Sequence, residues 1–371
     1  MSDGTIAMRK HVAVVFAVAA ALHLFAGSAW AAPKHGRPFL TPREEVERIR
    51  TMVQQDAWAA GEYEKLRKSA EEGDGYAAGF LYAMEGKPVH AEPARDWLLK
   101  WSERTGKQYA DWIAKLKADG RGPHQYYELD IQPALTFDRI HDFLDEESRA
   151  AIRQALENTC EYKLLYTSAY GSSTPNLEFK PHWYVAVVGM ALGNERYVEW
   201  GLRSDGGKYG RSRGGVLTVL AHFLKDGGIW DEANIYPIVH MVLPLTLRLC
   251  RYLRYYEGTD LFDEGIPRVA FRYGYTDRHA GEVVEGKPAP PRATARLFID
   301  SFIAMAYPIE SSGKGRNQIR VATLGDGATG YPAAWNDLFL LNPAGDNPRI
   351  LNMTDMVACA WALSGDLKYA G

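Results

Sequence analysis

The residue types best suited to moving protons lie in two short segments, 176–183 (NLEFKPHW) and 226–240 (DGGIWDEANIYPIVH). Each segment places an amide, an imidazole or a phenol near the predicted start of a helix that then becomes apolar. We expect these polar groups to gather at one end of a helical scaffold. An amide there neutralises developing negative charge, while a phenol or an imidazole transfers protons.

Tyr236 and His240 are four residues apart on the second predicted helix and therefore share one face. Asn234 is a typical N-cap for that helix, and Pro237 fits only in its first turn. This register places Tyr236 at the mouth of the scaffold and His240 one turn deeper. The alternative is that both are core residues, an ordinary tyrosine and a satisfied buried histidine.

Asn176 lies at the start of a helix that begins at Pro175 or Pro181, because proline is favoured in the first turn. His182 and Trp183 follow within two turns. The alternative for Asn176 is a cap or turn residue, which is the commoner use of asparagine in such a position.

Most of the remaining chain has the three- and four-residue apolar spacing of helices, and strand alternation is almost absent. The predicted helices cover residues 44–55, 57–70, 94–118, 134–144, 146–165, 183–192, 216–224, 235–256, 293–306 and 353–363. One apolar stripe is expected to be core: Trp97, Leu98, Trp101, Tyr109, Trp112, Ile113 and Leu116. Because the turns are short and polar, we expect an all-α fold of stacked helical hairpins.

The composition is that of a large globular protein, with 371 residues, 46% of them hydrophobic and 24% charged. A formal charge of -3 and a pI near 6.4 disfavour a nucleic-acid partner. Cys160, Cys250 and Cys359 match no zinc pattern and are expected to be free thiols. We therefore expect neither a metal nor another cofactor.

The N-terminus has the pattern of a secretory signal peptide, with a basic pair at 9–10, an apolar run at 12–25 and a small-x-small cleavage site at 29–31. The sequence thus predicts a signal peptide at 1–31 and one domain at 32–371. The apolar run is short for a bilayer span. We expect no membrane span after cleavage and a periplasmic or secreted protein.

The two polar segments belong to longer patterns. Asn176 leads into residues 190–194 (MALGN), and residues 226–236 match the pattern Asp-Gly-x-Trp-x-Glu-Gly-x-x-Tyr, with Gly228 as an extra residue and Ala233 in place of glycine. These patterns resemble those of the heparinase II/III-like polysaccharide lyases and the related alginate lyases, in which an Asn opens a helix that ends in Leu-Gly-Asp or Leu-Gly-Asn.

Further elements extend this resemblance from about residue 40 to residue 365. Upstream, residues 137–140 (FDRI) and 144–147 (LDEE) are similar to the family's helix-loop-helix, and downstream, residues 324–327 (LGDG) are similar to its late Gly-Asp element. The resemblance implies an incomplete (α/α) toroid that cleaves an anionic, uronic-acid-containing polysaccharide by β-elimination.

That chemistry implies a role for each polar residue. Asn176 neutralises the uronate carboxylate, and Tyr236 serves as the acid and also as the base. His182 is the next candidate for the base, while His240 orients Tyr236. Substrate contacts are expected from the remaining residues: Trp183 and Trp230 stacking on pyranose rings, Lys180 or Arg251 binding a carboxylate or sulfate, and Glu232 fixing its loop. The alternative for the tryptophans is packing between helices.

The β-sandwich domain that usually follows the toroid in this family has no counterpart before Gly371. Either the sandwich has been lost or the sequence is a truncated reading frame. Two other functions stay open. A glycoside hydrolase on a similar toroid needs two opposed carboxylates, of which Asp226, Asp231 and Glu232 offer one side. A non-catalytic protein that holds anionic polysaccharide needs neither acid nor base.

Overall fold

The computed structural model describes residues 33–119, 130–170, 175–203, 215–224, 242–265, 272–274, 280–283, 294–309, 318–321 and 353–366. These residues are mostly helical. The helices are α1 Arg43–Gln55, α2 Ala57–Glu71, α3 Gly75–Glu85, α4 Pro88–Asp119, α5 Gln132–Ile140, α6 Glu146–Tyr170, α7 Pro175–Leu192, α8 Glu195–Arg203, α9 Val216–Phe223, α10 Val242–Tyr256, α11 Ala295–Met305 and α12 Met353–Ser364. One 3-10 turn, His141–Phe143, follows α5.

Each helix predicted from apolar spacing has a counterpart in the structure, although residues 141–143 form a 3-10 turn and residue 306 begins a strand. Residues 235–241 of the predicted long helix lie outside the described residues. Helices α3 and α8 were not predicted. The α3 sequence (GYAAGFLYAME) is apolar on most sides, so it shows no stripe, and α8 has only nine residues. Four short strands, also not predicted, form two antiparallel pairs: Arg272–Gly274 with Ala280–Val283, and Ala306–Ile309 with Gln318–Val321.

Aspartate side chains fix the starts of two early helices. Asp56 accepts hydrogen bonds from the backbone N–H groups of Trp58, at 2.7 Å, and Ala59, at 3.4 Å. Asp74 likewise accepts from Tyr76, at 2.9 Å, and Ala77, at 3.2 Å. These bonds satisfy N–H groups that have no partner within the first turn of a helix, so α2 and α3 begin where the chain supplies an N-cap.

Asp74→Ala is expected to lower the free energy of unfolding by about 1 kcal/mol, the usual contribution of an aspartate N-cap. Urea denaturation followed by circular dichroism measures this loss. Asp96→Ala is the matched control, because Asp96 is exposed inside α4 and its hydrogen bonds, among the described residues, come from its neighbour Arg95. Equal losses in the two variants would contradict the capping role of Asp74.

Helices α7 and α8 form an antiparallel hairpin around a tight turn. Gly193 has a left-handed backbone conformation (φ 65°), and the N–H of Asn194 donates to the carbonyl of Gly189 at 2.8 Å. The Asn194 side chain then accepts from the N–H of Arg196 at 3.1 Å and so caps α8. A C-terminal glycine followed by an asparagine cap reverses the chain within two residues.

Glycines let the two helices of this hairpin touch. A Cβ atom on Gly201 would lie 2.6 Å from the backbone oxygen of His182, and one on Gly189 would lie 2.7 Å from the Cβ of Tyr197. Both separations are shorter than real Cβ contacts, so α8 packs directly on the backbone of α7.

The segment before α1 is held by a buried carboxylate in α5. Asp138 is 1% exposed and accepts hydrogen bonds from the backbone N–H groups of Phe39 and Leu40, each at 2.9 Å. The Arg37 guanidinium donates to the same carboxylate at 3.2 Å and to the carbonyl of Ala191 at 2.7 Å. One aspartate therefore ties the N-terminal segment to α5, and through Arg37 to the end of α7.

An aromatic cluster packs between α4 and α6. The rings of Tyr109 and Tyr162 meet edge to face with centroids 5.4 Å apart, and Leu116 and Tyr166 complete the buried part of the cluster. In the predicted core stripe of α4, Leu98, Tyr109 and Leu116 are buried, which confirms these three positions. The other four residues are half-buried: Trp97, Trp101, Trp112 and Ile113. Burial of such large side chains supplies the main favourable term that holds these two helices together.

Candidate functional site

Asn176 is the second residue of α7, so the helix begins at Pro175, the earlier of the two predicted starts. The other proline, Pro181, lies inside the helix. The backbone of Asn176 therefore occupies the first turn of an 18-residue helix. Its side chain lies outside what the structure describes.

His182 is completely buried, with 0% of its surface exposed. Its ring stacks on that of Trp200 in α8, with centroids 4.2 Å apart and an interplanar angle of 14°. The imidazole thus lies inside the α7–α8 interface. In this position it contributes to the packing of the hairpin, and no part of it is exposed to a ligand in solvent.

Trp183 packs between helices, which is the alternative that the sequence left open. Its side chain is 0% exposed, and its indole N–H donates to the carbonyl of Leu245 in α10 at 2.8 Å. A ring without an exposed face cannot stack on a pyranose, so the sugar-binding role expected of Trp183 does not agree with the structure. Trp183 is buried because α10, which is distant in the sequence, covers the face of α7 that carries it.

The two basic residues predicted to bind a carboxylate or sulfate differ in their surroundings. Lys180 in α7 is 8% exposed, and burial lowers the pKa of its ammonium group. Arg251 in α10 is half-buried and donates to the carboxylate of Glu45 at 2.6 Å. Arg251 is thus the more accessible of the two cations, although one of its N–H groups is already engaged.

The other predicted residues, Trp230, Glu232, Tyr236 and His240, belong to the stretch 225–241, which lies outside the described residues. The convergence of Asn176 and Tyr236 on one surface therefore stays a prediction. The same holds for the late element at 324–327.

Two of the sequence elements that resemble the lyase family, 137–140 and 144–147, have structural roles in the described part of the chain. The 137–140 element supplies Asp138, the anchor of the N-terminal segment. In the 144–147 element, Asp145 accepts from the backbone N–H of Ser148 at 2.7 Å and caps α6. These positions shape the helical scaffold and do not by themselves form a site.

A cavity of about 340 Å³ opens among α4, α6 and α7. Its lining combines aromatic rings with planar or hydroxyl polar groups: Trp101, Arg104, Thr105, Gln108, Tyr109, Asp130, Thr159 and Tyr184. The hydroxyls of Thr159 and Tyr184 are hydrogen-bonded at 3.0 Å, and the Lys163 ammonium lies 4.5 Å from the centre of the Tyr184 ring. A few polar groups on an aromatic frame are typical of small-ligand sites.

Sequence reasoning missed this cavity because it assigned Trp101 to the core stripe. Trp101 is half-buried, and Arg104, Thr105 and Gln108 follow it on the same face of α4. The sequence does show polar residues at three- and four-residue spacing from this tryptophan. Such a pattern indicates a helix face that is partly exposed to solvent and not part of the core.

Among the described residues, no group of histidine, cysteine, aspartate and glutamate side chains is arranged to hold a metal ion. No helix in this part of the structure combines the length and apolarity that a membrane crossing requires.

No protein-family model matches this chain, and no curated protein matches it either.

Proposed function

We propose that the chain is a polysaccharide lyase that cleaves a uronic-acid-containing polysaccharide by β-elimination, in the periplasm or outside the cell. The position of Asn176 in the first turn of α7 carries the proposal. The N-terminus of a helix bears partial positive charge and favours an anion, and a carboxamide in the same turn adds a donor. A uronate carboxylate needs this combination when the neighbouring C5 proton is removed.

In the proposed reaction the C5–H bond breaks and its electron pair forms the C4=C5 double bond. The bond from C4 to the bridging oxygen then breaks, and that oxygen leaves with the bonding pair. The phenolate of Tyr236 accepts the C5 proton, and the resulting phenol passes a proton to the leaving oxygen. Asn176 donates to the substrate carboxylate while charge develops on it.

The burial of His182 supports the assignment of both proton transfers to Tyr236. His182 stacks on Trp200 inside the α7–α8 hairpin, so in this proposal it positions the helix that carries Asn176. His240, four residues after Tyr236, orients the phenol.

The scaffold we propose is an incomplete (α/α) toroid. Its support is the run of helices that pack against their neighbours in the chain, such as α2 with α3, α3 with α4, and α7 with α8. Antiparallel hairpins of the α7–α8 kind are the repeating unit of such a fold. The cavity beside α7, with Trp101 and Arg104 in its lining, offers further contacts for an anionic saccharide chain.

The test is an assay of the purified protein on alginate, a heparan-type glycan and other acidic polysaccharides, following the ultraviolet absorbance of the unsaturated product. We expect absorbance to rise with at least one of them. Asn176→Ala is expected to lower the rate about a hundredfold, the usual effect of removing one preorganised donor. Tyr236→Phe is expected to lower it at least as much.

Matched controls separate chemistry from folding. Asn158→Ala removes a carboxamide that donates to the carbonyl of Gly106, and Tyr63→Phe removes a hydroxyl that donates to Glu85. Both variants are expected to retain most of the activity. Absence of unsaturated product from every acidic glycan would refute the proposal, as would equal losses in the Asn176 and Asn158 variants.

A non-catalytic protein that binds anionic polysaccharide is the second candidate. Its specific support is the burial of both His182 and Trp183, which removes one predicted proton-transfer group and one predicted sugar platform from the surface. Such a protein would retain acidic oligosaccharide without consuming it, and Tyr236→Phe would leave its affinity almost unchanged.

A further inference from the structure

Two helices that are distant in the sequence, α5 and α10, bring arginine side chains around a tyrosine of a third helix, α3. Tyr76 is the second residue of α3, and its hydroxyl lies 3.5 Å from Nη2 of Arg139 in α5. The Arg139 guanidinium also covers the Tyr76 ring, 4.8 Å from its centre. Arg248 and Arg251, three residues apart on one face of α10, act electrostatically on the same phenol.

The positive charge of this cluster is only partly compensated. Glu45 is buried and accepts hydrogen bonds from Arg48, at 2.8 and 2.9 Å, and from Arg251. Asp138, beside Arg139 in α5, is already occupied by Arg37 and two backbone N–H groups. Arg248 has no hydrogen-bond or ion-pair partner anywhere in the described part of the chain.

Two guanidinium atoms in the cluster are buried without a hydrogen-bond acceptor, namely Nη1 of Arg139 and Nε of Arg251. A buried donor without a partner is costly, and such donors are usually satisfied when a ligand or ordered water supplies the acceptor. The electrostatics agree with this. The positive charge of Arg139 lowers the pKa of the Tyr76 hydroxyl in spite of its burial, and Arg248 and Arg251 contribute less.

We propose that Arg139, Arg248 and Arg251, together with Tyr76, form a binding site for a carboxylate-bearing ligand. The planar guanidinium group matches a carboxylate in a two-pronged hydrogen bond. All four residues are half-buried, so each keeps part of its surface in contact with solvent, where a small acidic group can approach and be partly shielded. The site shares Arg251 with the substrate contacts expected of the lyase, but it does not depend on cleavage, because an arginine cluster binds a carboxylate whether or not the chain breaks a bond.

Calorimetric titration with D-glucuronate, with D-glucose as the neutral counterpart, tests the site. We expect glucuronate to bind and glucose not to bind. Arg248→Gln is expected to weaken glucuronate about tenfold or more, which is the effect of losing one hydrogen bond to a charged group. Arg196→Gln is the matched control, because it removes the same charge from an exposed pair with Glu161. Circular dichroism checks that both variants are folded.

A second readout follows Tyr76 itself, as the difference in phenolate absorbance between the wild-type protein and Tyr76→Phe. Bound glucuronate is expected to shift the ionisation of Tyr76 to higher pH, because the carboxylate cancels part of the arginine field. The proposal is overturned if glucose binds as well as glucuronate, or if glucuronate does not bind at all. It is equally overturned if the two arginine variants weaken binding alike, or if glucuronate leaves the Tyr76 titration unchanged. None of these results depends on the polysaccharide assay, so the two proposals fail separately.

Discussion

At pH 7, where Asp138 is ionised, Asp138→Ala is expected to lower the free energy of unfolding by about 3 to 5 kcal/mol, the usual cost of removing one partner of a buried ion pair. The carboxylate is fully buried, and three donors converge on it: the N–H groups of Phe39 and Leu40 and the guanidinium of Arg37. Its removal leaves two backbone donors without partners and a half-buried cation without its counter-charge.

Chemical denaturation monitored by circular dichroism measures the loss. Asp142→Ala is the matched control, since Asp142 is exposed and its hydrogen bond, among the described residues, is to its neighbour His141. It is expected to change stability by no more than about 0.5 kcal/mol, as surface substitutions usually do. An equally small loss of unfolding free energy in Asp138→Ala would contradict the anchoring of the N-terminal segment by Asp138.

The pH dependence of the Asp138 effect has a definite sign. Burial raises the pKa of Asp138 to about 6, above the value of about 3.9 in an unfolded chain. The native state therefore holds this proton more tightly. The contribution of Asp138 to stability is greatest below about pH 4 and declines as the pH rises to 6. The difference in unfolding free energy between the wild-type protein and Asp138→Ala should shrink over that interval.

Gly201→Ala is expected to destabilise the protein by about 3 kcal/mol, at the upper end of the usual cost of overpacking. The added methyl would meet the backbone oxygen of His182 at 2.6 Å, and the backbone nitrogen of Ala186 still more closely. These are backbone atoms of α7, so no side-chain rotation relieves the contact. The α7–α8 hairpin must open to accept the methyl, which would also disturb the stacking of His182 on Trp200.

Gly61→Ala provides the control. Gly61 lies within α2, and a Cβ atom there would have no neighbour within 4 Å. This variant is expected to stabilise the protein by about 0.5 to 1 kcal/mol, because alanine favours a helix more than glycine does. Denaturation curves of the two variants should therefore shift in opposite directions. A Gly201→Ala curve that overlies the wild-type curve would contradict the close approach of α7 and α8.

Most of the helices follow from the spacing of apolar residues along the chain. The pattern in α1, α2, α4 and α6 is local, since an amphipathic helix shows its apolar stripe within a few turns. Local chemistry also marks the ends, as Asp56 does for α2. The α3 helix was not predicted because an almost wholly apolar segment has no apolar stripe. The α8 helix was not predicted because its nine residues make little more than two turns.

The tertiary structure alone decided which polar and aromatic residues reach the surface. Spacing placed His182 and Trp183 near the start of the predicted helix 183–192, but whether a face of that helix is open depends on α8 and α10, which come later in the chain and cover it. The cluster around Tyr76 was hidden for the same reason. Its arginines lie on α5 and α10, and only the folded chain brings their charges close enough to act on Tyr76.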